Sequence, residues 1–526
     1  MRLKIASAAL AMTLAAGTQA NAETFKFAFQ GTYNQLDPYS LNETFTLGMH
    51  GNVYEGLVRR SADLKIEPAL AESWEVLEPT RWRFHLRKGV KFHNGNDFTA
   101  DDVVFSADRV RAEGSDMTTR IAKDVKVVKV DDYTVDFILP GVNPILHSEW
   151  STWYIMDKEW TEANNAVKVT SASDTNPNYA SLNTNGTGPF KIATHEPGVK
   201  TTFTVNDGWW DNKVHNLTGV EFTPIGSDAT RVAALLSGEL DMAFPIPVQD
   251  IKRVDGNAGT TALTGPELRT IFLGFDQKRD ELLHSNIKGK NPFKDVRVRK
   301  AFYQAIDVDA IKAKIMRGLS EPAALMISPF LFANSGDFSR YPYDPAASKK
   351  LLAEAGYGDG FEVSMDCPND RYVNDEAICQ ATAAFLARVG IKVNLNAQPK
   401  AKYFAKVLAS GGYDTSFYML GWTPGSFDSY NILLNLNNCR DDKGAGGPFN
   451  LGGYCNPKID ELTKKVLSEN DEEKRNALIS EAYTILNDEV SHIPLHQQGL
   501  AWGVSDKVTL KQRADNEFHF KYVVKN

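Results

Sequence analysis

The sequence predicts an α/β chain of two lobes linked by two crossings, with a β-rich insertion in the first lobe. Three observations lead there. Residues 220–224, 228–240 and 241–244 read as strand, helix and strand, the alternation of an α/β layer. Residues 361–366, 375–389, 391–395, 403–410 and 415–420 repeat that alternation as a second unit. The hydrophobic strand 270–276 leads from the first unit to the second, and 492–495 with 500–504 lead back. Two lobes joined in this way form a hinge, and rigid-body closure is the motion it permits.

In chain order, residues 1–22 read as a secretory leader. Arg2 and Lys4 give a basic start, residues 5–16 a short apolar run, and Ala20-Asn21-Ala22 a small-x-small cleavage site. The run is shorter than the roughly 18 apolar residues of a membrane-spanning helix. The formal charge of −8 becomes about −10 once Arg2 and Lys4 are removed, which argues against nucleic acid as a partner. Residues 24–30 alternate as a first strand and run into the turn-rich 31–38. Tyr33 there stands directly after a sheet strand, a common place for a ligand contact. Residues 43–57 read as a helix with Leu47, Val53, Tyr54 and Leu57 near one face.

Residues 58–185 read as the insertion. Glu78-Pro79-Thr80 makes a turn, beyond which Trp82, Phe84 and Leu86 alternate with Arg81, Arg83, His85 and Arg87 as a half-buried strand. Thr99 and Asp102 form a Thr-x-x-Asp cap for a helix with Val103, Ala107 and Val110 on one face. Residues 126–139 are two alternating strands turning at Asp131-Asp132, and 164–185 is a polar surface loop. NGTGPFKI at 185–192 is a glycine-permitted turn into a sheet; it lacks the GK[ST] ending of a phosphate loop. Beyond the first crossing, helices are expected within 295–317, over 345–355 closed by Gly356, and over 459–467. The last segment, Phe518 to Tyr522, returns to the first lobe.

The wording of LAESWEV, WRFHLRKGVKFHNG and FTADDVVFS, with YEGL at 54–57 and GTGPF at 186–190, closely resembles the signature of a known family. That family is the extracytoplasmic solute-binding proteins of family 5, which serve peptide, opine and nickel ABC importers. The resemblance covers nearly all of residues 24–526. It implies the two-lobed periplasmic binding protein fold in its large, three-part form (type II), with the ligand enclosed between the lobes. The expected division is leader 1–22, first lobe 23–57, 186–268 and 494–526, insertion 58–185, and second lobe 269–493.

Cys367, Cys379, Cys439 and Cys455 are an even set in an exported chain, which implies disulfides. Three pairings are open; the local two, Cys367–Cys379 and Cys439–Cys455, each clip one irregular segment and are favoured. No cysteine follows the leader to carry a lipid, so a free periplasmic protein is expected. No Cys-x-x-Cys spacing points to zinc. Gly-x-Ser-x-Gly, His-Glu-x-x-His and Walker motifs are absent, so neither catalysis nor a cofactor is expected. The ten histidines are scattered. His85 and His93 sit in the hairpin, and Pro494 argues against a helix that presents both His492 and His496 to a metal.

MLGWTPGSFDSY at 419–430 ends a strand and puts Gly421 and the Trp422 indole at its C-terminal edge, where open α/β sheets bind ligands. Phe427 and Asp428 follow on the same loop. In the peptide-binding relatives this segment resembles GWxxDxxDP, whose first aspartate pairs with the peptide's α-ammonium. That place is Gly425 here, and the Asp-Pro ending reads Asp428-Ser429. A buried ammonium without a carboxylate is costly. Asp428 is therefore the expected substitute; failing that, an ordinary free-amine peptide is not the ligand. Arg371, in Pro368-Asn369-Asp370-Arg371-Tyr372, follows the strand 361–366. Resemblance to the dipeptide-binding members implies that its guanidinium fork holds the ligand's carboxylate.

The expectation is a monomeric periplasmic protein that closes on a short peptide or peptide-like amino-acid derivative. It would deliver this small ligand to an inner-membrane ABC permease with its ATPase. A carboxylate-bearing opine-like conjugate is the alternative, then a nickel chelate or haem. An exported hydrolase or a chaperone is the rival from another class.

Overall fold

The computed structural model describes residues 24–526 except 34, 119, 171–175 and 441–445. The expected leader lies outside the described residues, as does part of the loop 164–185. Among the described residues no helix is long and apolar enough to cross a membrane.

One mixed sheet of eleven strands runs through both lobes. Thr24–Phe29 sits between Gly219–Pro224 and Met242–Phe244 and is parallel to both. Two long strands, Thr260–Phe275 and His492–Ser505, pair antiparallel and carry the sheet from lobe to lobe. Beyond them come Phe417–Trp422, then Phe361–Pro368 and Ile391–Gln398. The returning strand is buried along all but its last residue, as a strand covered on both faces must be. The expected segments 492–495 and 500–504 are one continuous strand, and Pro494 within it is accommodated where the register shifts between Ile271 and Phe272.

The cores follow the lobes. One joins Phe27, Trp82, Phe137, Trp150 and Phe520, so the insertion shares the first lobe's core. Phe417 and Met419 enter a second core with Phe302, while their neighbours Tyr418 and Leu420 enter a third with Leu433 and Tyr483. That period-2 division puts two cores on opposite faces of one strand.

The insertion's sheet has the order Ala71–Glu78, Arg81–Leu86, Thr134–Ile138, Lys126–Asp131. Trp82, Phe84 and Leu86 face inward as expected, and on the other face Arg81 and Arg83 share the carboxylate of Asp136. Thr99 and Asp102 form a full capping box on Ala100–Val110.

Three elements differ from expectation. The first helix is only Thr44–His50, capped by Glu43; the chain then turns against the insertion, where a Cβ at Gly56 would lie 2.8 Å from the Trp153 carbonyl. Within 295–317, Val296–Ala305 stops and Asp307 caps a fresh start, its side chain accepting the Ala310 N–H. Glu472–Asp488 is a long helix whose sequence shows little periodicity, because only Ile479, Ala482, Tyr483 and Leu486 are buried.

Candidate functional site

A cavity of about 690 Å³ lies between the lobes. The first lobe borders it with Gln30, just after Thr24–Phe29, and with Ile246, just after Met242–Phe244. The second lobe contributes the loop that follows Phe361–Pro368, and the crossing strands contribute Glu267, Arg269 and Gln498. The C-terminal ends of parallel strands thus converge on it, the place where open α/β sheets take ligands.

The loop 369–374 is held rigidly. The Cys367–Cys379 disulfide ties the strand before it to the helix Asp375–Ala387. Asp375 accepts the N–H groups of Arg371, Tyr372 and Glu376 at 2.9, 3.0 and 2.9 Å. Burial nevertheless raises its pKa above the usual aspartate range, the three N–H bonds opposing the rise. Val373 N–H donates to Gln498 Oε1 at 3.1 Å, and Asn374, in the left-handed region at φ 55°, donates to the Ile315 carbonyl. Into this frame Arg371 extends a guanidinium with no hydrogen-bond partner among the described residues, its Cζ 5.2 Å from the Tyr372 ring centre. Burial, and then the neighbouring Arg269, lower its pKa.

Gly421 acts through Tyr372. A Cβ at 421 would lie 2.7 Å from Tyr372 Cε1 and 2.8 Å from Ile271 Cδ1, so only glycine leaves the ring its seat. The Tyr372 hydroxyl donates to the Gly421 carbonyl at 3.4 Å.

The other expected residues lie off the cavity. Tyr33 is packed in the first lobe's core, its hydroxyl 2.9 Å from His50 Nδ1; the loop folds it inward. The strand expected to stop at Leu420 runs to Trp422, whose indole N–H donates to Asn431 Oδ1 at 2.9 Å while its ring meets Phe449. Phe427 lies beneath Arg60. Asp428 caps Ser429–Ile432 and takes both Nη groups of Arg475 at 2.6 and 2.8 Å. This carboxylate is thus engaged by an arginine and a helix start. The side chain nearest a Cβ at Gly425 is cationic, Arg120 Nη1 at 3.8 Å. Cys439–Cys455 forms the second local disulfide.

Arg269, Glu267 and Gln498 were not singled out from the sequence. The available signal was a charged pair spaced by two, Glu267 and Arg269, beside an apolar crossing. Elsewhere, the carboxylates of Asp102, Asp157 and Glu159 come together in the insertion. Asp102 there accepts the backbone of Thr99 and Lys158, and Asp157 receives the amides of Asn94, Asn96 and Asn185. Their arrangement is a set of structural caps.

Residues 65–444 match the family model described as bacterial extracellular solute-binding proteins, family 5 Middle. The dipeptide-binding protein of Escherichia coli K12 is 28% identical, covering 93% of this chain and 91% of that one. The glutathione-binding protein GsiB of Salmonella choleraesuis SC-B67 is 26% identical, covering 96% and 95%. Among solved structures, the periplasmic binding protein DppA of Helicobacter pylori in complex with the peptide STSA has a TM-score of 0.78 at 23% identity, covering 96% of this chain and 98% of that one.

Proposed function

Because the chain belongs to the bacterial extracellular solute-binding proteins of family 5, we propose that it is the periplasmic capture component of an ABC importer. It binds a short peptide or a peptide-like amino-acid derivative between its lobes, closes, and presents the closed form to a membrane permease. It acts as a binder rather than an enzyme. The E. coli relative named for dipeptides supports the ligand class. The observation that carries the reading is Arg371: a guanidinium without a hydrogen-bond partner among the described residues, on a disulfide-stiffened loop, facing an interlobe cavity of about 690 Å³. Its fork suits a ligand carboxylate.

A second reading, a conjugate whose amine is masked, is favoured by Gly425. That loop position offers no carboxylate to an ammonium, and the nearest side chain is Arg120.

Calorimetry with a dipeptide library tests the proposal. Arg371→Ala is expected to weaken binding by about 10- to 100-fold, the range for a charged hydrogen bond. Unchanged affinity would remove Arg371 from the site.

A further inference from the structure

We propose that Arg269 is a second ligand-carboxylate residue, which forms with Arg371 a two-guanidinium receptor spanning the hinge strand and the second lobe. This rests on the capture reading above and adds to it the chemistry of one end of the ligand.

The receptor originates in a break of the ladder. The first crossing strand pairs Pro266 with Gly499 and Thr270 with Gln497, so Glu267, Leu268 and Arg269 together oppose Gln498 alone. Such a bulge re-aims side chains. Leu268 turns into the protein, its N–H bound to the Ala514 carbonyl, while Glu267 and Arg269 reach the cavity.

The bulge is braced to the loop that carries Arg371. Arg269 Nε donates to Glu267 Oε1 at 3.2 Å, and Gln498 Nε2 donates to Glu267 Oε2 at 2.5 Å. Gln498 Oε1 in turn accepts the Val373 N–H. Both guanidiniums lie by the Tyr372 ring, with Cζ atoms 5.8 and 5.2 Å from its centre. Among the described residues, the two Nη groups of Arg269 and the whole guanidinium of Arg371 have no hydrogen-bond partner.

Donor supply points the same way. Glu267, and with it Glu43, acts electrostatically on both arginines. The other cavity carboxylates are already engaged. Glu43 and Asp370 accept the backbone of Thr46 and Lys400, Asp228 holds Arg231, Asp375 caps its own loop, and Glu376 accepts Gln380. The unused groups here are therefore mainly donors, arranged as the two forks that a planar anion accepts.

The test uses one dipeptide library in two forms, free acids and C-terminal amides, titrated by calorimetry. Three proteins are compared: wild type, R269Q, and the paired change E267Q with R269Q, which leaves neither charge buried alone if R269Q folds poorly. Wild type is expected to prefer acids over amides by at least about 100-fold, from two charged hydrogen-bonding groups. The variants are expected to lose about 10- to 100-fold toward acids and little toward amides, so the preference collapses. Acid and amide affinities that fall together would make Arg269 merely structural and overturn the proposal; so would variants equal to wild type. A wild type that binds neither form sinks the peptide reading instead. The receptor is then judged on the carboxylic acids that mass spectrometry finds released from the denatured protein: R269Q must retain less of them, and equal retention overturns the proposal.

Discussion

Arg60 lies over the ring of Phe427, its Cζ 3.9 Å from the ring centre, and donates to the Ser426 carbonyl at 3.3 Å. The contact joins the insertion to a second-lobe loop, so it exists only while the lobes are together. Burial lowers the Arg60 pKa to about 10, which leaves the side chain charged at neutral pH. A desolvated cation over an aromatic face is worth about 2 kcal/mol. Arg60→Ala is accordingly expected to weaken ligand affinity by about 10-fold, mainly through faster release, and to expand the liganded protein in small-angle scattering. Affinity and dimensions equal to wild type would show that the contact does not hold the closed form.

Asp428 and Arg475 make a different kind of pair, internal to the second lobe. Asp428→Asn leaves the mostly buried Arg475 without its carboxylate, at a cost of about 3 kcal/mol. The midpoint of denaturant unfolding should fall while ligand affinity stays within about threefold, the spread expected for a residue outside the cavity. The reverse pattern, intact stability with lost affinity, would return Asp428 to the ligand.

Gly421→Ala is the sharpest test of the support beneath the arginines. The new methyl would press on Tyr372 and Ile271, and overpacking of this kind costs about 1–3 kcal/mol. Displacing the Tyr372 ring disturbs both guanidiniums, so carboxylate binding should weaken about 10-fold or more. Full affinity in this variant would mean that the ring does not position them.

Acid should destabilise the fold through its buried histidines. Burial holds His50, His492 and His496 down to about 3, whereas in the unfolded chain they titrate near 6.5. Between those values the unfolded state binds more protons, so stability falls as pH drops from about 6.5 and levels off below about 3. Each histidine contributes up to about 1.4 kcal/mol per pH unit in that window. Asp102, raised to about 7 by burial, acts in the opposite sense, as do Glu55, Glu149, Asp375 and Glu517, which burial also raises. His93, His147, His215 and His519, lowered by burial, act with the three histidines. Unfolding midpoints at pH 7 and pH 5 read the loss, and His492→Gln should make it shallower. An unaltered slope in that variant would contradict the assignment.

Much of this architecture was legible because it is encoded locally. The Thr99–Asp102 cap, the alternating Trp82-Phe84-Leu86 strand and the Phe361–Pro368 to Ile391–Gln398 unit each satisfy a short-range rule that tertiary packing did not override. Asp307 was missed because a cap inside an otherwise helical run looks like any polar helix position. Glu472–Asp488 was missed because one narrow buried stripe on 17 residues barely registers as periodicity.

The site was less legible. Arg371 stood out as a charge on the loop between the strand Phe361–Pro368 and the helix Asp375–Ala387. Arg269 reaches the cavity only because a bulge turns it, and a bulge depends on the partner strand more than 200 residues away. Trp422 and Asp428 looked exposed to a ligand in sequence; Phe449 and Arg475, both distant in sequence, occupy them instead.

The most direct test is mass spectrometry of the small molecules released when freshly purified protein is denatured, with Arg371→Ala prepared in parallel. The account predicts a peptide or peptide-like acid near one per protein from wild type, and a clear loss of it from the variant. Release of an uncharged compound, or equal amounts of the acid from both proteins, would contradict it.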